Sequence, residues 1–198
     1  MVIPLDADYR KATNAAYKEL YQYTGDYPVI DVYRILQSDP RIRLCTYTAA
    51  AQRFGCEFKE FTRSIAPSEY GFSVIDTLHG NSIVYYNDHK SETTNRFTFA
   101  HELGHIRLCH RVDNAITNKE ANCFARNLLC PIPVVQEGKL ETVDDYVNTF
   151  YVSDYMAKIA VQYYSSDLFY VQKELLERIR NKSYCSITGF SLSELYGY

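Results

Sequence analysis

The sequence predicts an α+β fold, mainly helical, with a small, largely antiparallel sheet beside one central helix. Three observations carry that expectation. Apolar residues recur at helical spacing through several long segments. Two short β-rich runs, residues 72–76 and 82–86, flank His79-Gly80-Asn81, which reads as a hairpin turn. No repeat, low-complexity tract or clear linker divides the 198 residues, so residues 1–198 read as a single domain.

Taken in order, residues 6–23 place Tyr9, Ala12, Ala16, Leu20 and Tyr21 on one helical side, and Thr24-Gly25-Asp26-Tyr27-Pro28 breaks the pattern. A short helix over 29–36 and a strand over 42–48 follow. Residues 49–61 carry a helical pattern that Gly55 interrupts. Beyond the hairpin, two helices flank a turn near Asp113-Asn114 and complete a core site region at 70–131. Residues 143–151, 153–164 and 167–180 read as further helices within a C-terminal helical part, 140–182. There Leu168, Val171, Leu175, Leu176 and Ile179 form an apolar stripe suited to core packing.

An apolar content of 46% supports a globular chain, and a net charge of −3 with scattered Lys and Arg supplies no basic field for nucleic acid. Met1-Val2-Ile3-Pro4-Leu5-Asp6 lacks the pattern of a secretion signal, and no apolar run reaches membrane-spanning length. A cytoplasmic protein with no membrane partner is expected. The six cysteines lack paired zinc-finger spacing and read as reduced thiols. The absence of Trp beside 19 Tyr leaves tyrosine to fill core rims and any peptide-binding surface.

The chemistry concentrates in Ala100-His101-Glu102-Leu103-Gly104-His105. Helix positions i and i+4 share a face, so two imidazoles point the same way with a carboxylate beside the first. His101 and His105 are therefore candidate metal ligands, and Glu102 a candidate general base. Phe97, Phe99, Leu103, Ile106 and Leu108 surround the trio, and burying it without a partner would be costly; a bound metal removes the difficulty.

A hydrolytic zinc site keeps three protein ligands and one open position, so a third ligand must be found. Leu108 and Arg111 stand where a metzincin would have Gly and His. Glu120 lies on the second helix, which Pro131 stops and whose N-cap reads as Thr117 or Asn118. Spacing alone leaves Glu120 open between metal ligand and partner of Thr117 in a capping box. Asp113 and Glu92 are alternative carboxylates. Cys109 continues the 101, 105 stripe but fits a small buried apolar role. His110 is rotated off the stripe and reads as a surface or packing residue, and His79 as a turn residue.

Arg96-Phe97-Thr98-Phe99-Ala100-His101-Glu102-Leu103-Gly104-His105, together with Glu120-Ala121-Asn122-Cys123-Phe124-Ala125-Arg126-Asn127-Leu128-Leu129-Cys130-Pro131, resembles the ImmA/IrrE metallopeptidase family. The close match runs from about Asn95 to Pro131, with a weaker echo at Val152-Ser153-Asp154-Tyr155-Met156-Ala157. Cys130 replaces the usual Met, and Lys158-Ile159 a common Arg-Leu pair. The resemblance implies Zn²⁺ as cofactor, Glu120 as third ligand, Glu102 as general base, and a zinc metallo-endopeptidase whose substrate is a helix-turn-helix repressor. Two alternatives accompany it: an antirepressor that binds without cleavage, and a hydrolase of small molecules. The strand at 82–86 reads either as a free edge that an extended substrate could join or as a strand paired on both sides.

Overall fold

The computed structural model describes residues 6–76 and 78–189. Helix α1, Tyr9–Gln22, begins at Asp8, whose side chain accepts the Lys11 N–H. Helix α2, Val32–Ser38, starts later than its pattern suggests because Asp31 caps it. Strand β1, Ile42–Thr46, leads directly into α3, Tyr47–Phe54, which Gly55 closes in the left-handed conformation at φ 66°. The expected 49–61 helix is thus two pieces: after Gly55 the chain restarts as α4, Phe58–Glu60, and runs into a π turn, Phe61–Ile65.

Strands β2, Gly71–Asp76, and β3, Asn81–Tyr86, pair antiparallel as a hairpin. β1 joins the other side of β3 in parallel, with Ile42 opposite Ser82 and Thr46 opposite Tyr86. The order β1-β3-β2 makes the sheet mixed rather than largely antiparallel, and it makes β3 the centre. Strand 82–86 is thus paired on both sides, the second of its two expected arrangements, and the free edge beside the site helix belongs to β2.

Helix α5, Glu92–Arg107, carries the HExxH run and is capped by Ser91. Helix α6, Ala115–Leu129, opens on a capping box between Asn114 and Thr117. The N-cap lies before both expected positions, and the box leaves Glu120 outside the cap. Helix α7, Ile132–Gly138, follows Pro131 at once and is absent from the sequence reading. Helix α8 spans Val143–Phe150, α9 Asp154–Tyr170 and α10 Lys173–Thr188. The break between the last two falls at Val171-Gln172, not at 165–166. Neither Ser165 nor Ser166 forces a stop, whereas Asn14 on α1 accepts the Gln172 N–H and fixes the restart there.

One buried apolar cluster runs from α1 through α5 and α6 to α10, with Tyr17, Leu20, Leu103, Phe124, Leu128 and Ile179 almost fully buried. Arg96, in the first half of α5, donates to the carbonyls of Ile30, Phe150 and Tyr151, tying the site helix to the segment before α2 and to the end of α8. Among the described residues no helix is long and apolar enough to cross a membrane.

Two close approaches set the site. A Cβ on Gly104 would stand 3.1 Å from Phe124 Cδ1 and 3.2 Å from Ala121 Cα, so glycine lets α5 and α6 pack tightly behind the histidines. A Cβ on Gly71 would meet Thr98 Cγ2 at 2.4 Å and the Tyr85 carbonyl at 2.8 Å. Gly71→Val must push β2 off α5 and is expected to cost about 1–3 kcal/mol. A thermal melt showing an unchanged midpoint would contradict that packing.

Candidate metal centre

Helices α5 and α6 face each other across the site. On α5, His101 and His105 turn their Nε2 atoms together, 3.0 Å apart. Two nitrogens on one tetrahedral zinc, each at 2.0–2.1 Å, stand about 3.3 Å apart, so the pair fits a shared metal. Burial disfavours the charged form of both rings, and His105, beside two other imidazoles, is pushed down to about 4. Neutral imidazole is the form that ligates. Asn122 Oδ1 lies 2.9 Å from His101 Nδ1 and fixes that ring from behind.

Glu102 sits in an environment of its own. It is buried, and burial lifts its carboxyl to about 7 against the opposing hydrogen bonds from the Ser73 hydroxyl and backbone N–H on β2. A cleft of about 1090 Å³ opens over the three residues. Its walls are the β2 edge, with Phe72, Ser73 and Ile75, and helix α9, with Tyr155, Met156 and Ile159. Tyr155 is 76% exposed and Val112 61% exposed, so the rim is apolar and accessible.

A family model described as the IrrE N-terminal-like domain, Peptidase_M78, matches residues 51–163. The chain belongs to this family. The match covers the sheet's β2–β3 hairpin, both site helices and most of α9. No curated protein and no solved structure matches the chain. Members of the Peptidase_M78 family are metallopeptidases, which accords with the HExxH geometry.

Glu120, expected as the third ligand, is engaged here with other partners. Its Oε1 accepts the Asp8 N–H at 2.7 Å, and its Oε2 lies 2.9 Å from His110 Nε2. No group of three or more His, Cys, Asp or Glu side chains arranged to hold a metal forms among the described residues. The reason is helical phase. Asn118 and Asn122, four apart, both face His101, and Glu120 is about 200° round the helix from Asn118. The atom of α6 that meets His101 Nε2 is Asn118 Oδ1, at 3.2 Å.

His110, read from the sequence as a surface or packing residue, is instead buried at the site, its Nδ1 3.0 Å from His105 Nδ1. Cys109 adopts φ 57°, the Cys109 N–H returns to Ile106 O and the His110 N–H to His105 O. This Schellman turn swings His110 back over the helix end. Such a turn is normally signalled by Gly or Asn, and Cys109 is neither, so the sequence carried no local cue. The matching i, i+4 spacings of 101–105 and 118–122 were the available cue for Asn118. Cys109 itself is exposed. Glu92 bonds the Tyr151 hydroxyl at the far end of α5 and is no ligand. Asp113 holds Asn118 Nδ2 at 2.5 Å, and His79 stays in its turn against Asp76.

Proposed function

We propose that this chain is a zinc-dependent endopeptidase, cytoplasmic, that cuts an extended segment of a partner protein; the family resemblance suggests a helix-turn-helix repressor. Glu102 carries the reading: a buried carboxyl held near neutrality, beside two convergent imidazoles, on the floor of a cleft. A general base works best when its pKa lies near the working pH.

The free edge of β2 supplies main-chain donors and acceptors to which an extended peptide can add as a further strand. The apolar rim on α9 suits the side chains of such a peptide. Zinc held by His101 and His105 would polarise a carbonyl and lower the pKa of water toward about 7, from ~15.7 in bulk. Glu102 takes the proton of the attacking water, holds it within the buried pocket and returns it to the departing amine. Ser73 keeps the carboxylate oriented during that exchange.

The test combines purified protein, zinc and a candidate helix-turn-helix repressor, with fragments mapped by mass spectrometry. One discrete cut is expected. An intact repressor that nevertheless co-elutes with the chain would contradict cleavage and favour the second reading, capture without hydrolysis. That reading draws on Asn118, since the α6 side chain that meets His101 Nε2 is neutral and would hold an ion less strongly than a carboxylate.

A further inference from the structure

Arg126 stands in the cleft wall with one arm of its guanidinium unused. It is only 6% exposed, and two of its three nitrogens hold Asp167: Nε donates to Oδ2 at 2.6 Å and Nη2 to Oδ1 at 2.8 Å. The third nitrogen, Nη1, meets no acceptor among the described residues, and it is not sealed from solvent. Arg126 lines the cleft, so that arm opens into it. The arm carries two N–H donors, and leaving donors without acceptors is unfavourable. The two bonds to Asp167 and the Tyr163 ring, 4.6 Å from the guanidinium carbon, hold the fork in place. The free arm is therefore aimed before anything binds, which lowers the ordering cost of a contact made there.

The arm is also well placed. Asn118, Asn122 and Arg126 are four residues apart on α6, and all three line the cleft. Asn122 touches His101, so Arg126 stands one helical turn, about 5.4 Å, farther along the same wall. Ile159 and Tyr163, also four apart, line the cleft from α9. An extended peptide rises about 3.3 Å per residue, so that turn corresponds to about one or two of its residues. When such a peptide adds to the free edge of β2, alternate carbonyls turn toward β2 and the others turn away from it, toward α6 and α9. The carbonyls that turn away need donors of their own once the peptide displaces water. Asp167 already balances the charge of Arg126, so the free arm suits the partial charge of a carbonyl oxygen better than a full anion. We infer that Arg126 is a substrate-binding residue: Nη1 donates to a main-chain carbonyl of the bound peptide, about one or two residues from the cut, while Asp167 holds the fork in position. The inference rests on the endopeptidase reading for the cut, and on the cleft alone for the contact.

The test uses the full chain, zinc and a candidate helix-turn-helix repressor. Arg126→Met with Asp167→Leu removes the arm without stranding a charge. Arg126→Lys keeps a cation opposite Asp167 but has no third arm. Affinity for the repressor is measured by biolayer interferometry in the Glu102→Gln background, which slows turnover; kcat and KM are measured with Glu102 restored, beside zinc uptake and a melting curve. Both variants are expected to bind the repressor about 10–100-fold more weakly, the contribution of a hydrogen bond to a charged group, and to raise KM with kcat nearly unchanged. Zinc uptake should match the parent. Affinity and KM within about twofold of the parent overturn the inference, and so does a fall in kcat at unchanged KM, the mark of a structural role. If the parent captures the repressor uncut, the endopeptidase reading fails; a 10–100-fold loss of affinity in the variants then still upholds Arg126, and no loss overturns it. A repressor neither cut nor captured contradicts both. Arg126→Lys carries the comparison if the double variant does not fold.

Discussion

Glu102→Gln is expected to lower the rate of peptide cleavage by about 100–10,000-fold, the usual contribution of a positioned acid–base group. Gln has nearly the same shape and reaches the same Ser73 hydrogen bonds, but it cannot accept a proton at neutral pH. The parent carboxyl already sits near neutrality through burial, so an uncharged replacement adds no desolvation cost and the fold should keep its stability. Zinc uptake should also be unchanged, since Glu102 lines the same cleft as the base for the attacking water and not as a ligand. The measurement is kcat/KM on a peptide spanning the mapped cut, beside a melting curve. A variant that retains more than about a tenth of the parental rate would remove Glu102 from the role of base.

The largest effect on stability is expected at Asp167. Arg126 Nε donates to Asp167 Oδ2 at 2.6 Å and its second arm to Oδ1 at 2.8 Å, with both residues buried. The pair joins α6 to the end of α9, beside the cleft. Arg126 also lies over the Tyr163 ring, 4.6 Å from its centroid. Asp167→Ala strands a guanidinium away from water and should cost about 3–5 kcal/mol. For a chain of this size, that lowers the melting temperature by on the order of 10 °C. Replacing both partners by apolar residues, Arg126→Met with Asp167→Leu, should recover most of the loss, because the penalty belongs to the unpaired charge. A single variant that melts within about 2 °C of the parent would contradict a well-made buried pair.

What the sequence made legible was local. His101, Glu102 and His105 share one helix, so their common face follows from spacing alone. The hairpin turn of β2 and β3 and the stop at Pro131 have local chemical signals, and the structure places all of them where they were expected. What stayed hidden depends on contacts distant in sequence or on unsignalled backbone turns. The parallel pairing of β1 with β3 joins residues forty apart, Ile42 with Ser82, and leaves no periodic trace. The identity of the α6 side chain that meets the histidines depends on the phase at which α6 crosses α5. A start at Asn114 rather than Thr117 or Asn118 leaves Glu120 beyond the cap, and the crossing aims Asn118 and Asn122 at His101 while Glu120 turns toward Asp8 and His110. His110 reached the site through a left-handed residue that is neither Gly nor Asn. The family motif pointed to the two helices that face each other across the cleft and to the two histidines whose Nε2 atoms converge, without fixing which α6 side chain meets them.

The central claim is that His101 and His105 share one metal beneath the cleft, with Glu102 facing the same space. Anomalous diffraction from a zinc-loaded crystal, recorded at the zinc edge, tests it most directly. The account predicts one strong peak per chain within bonding distance of both Nε2 atoms. A peak elsewhere, or none at saturating zinc with both imidazoles hydrogen-bonded to protein alone, would contradict it.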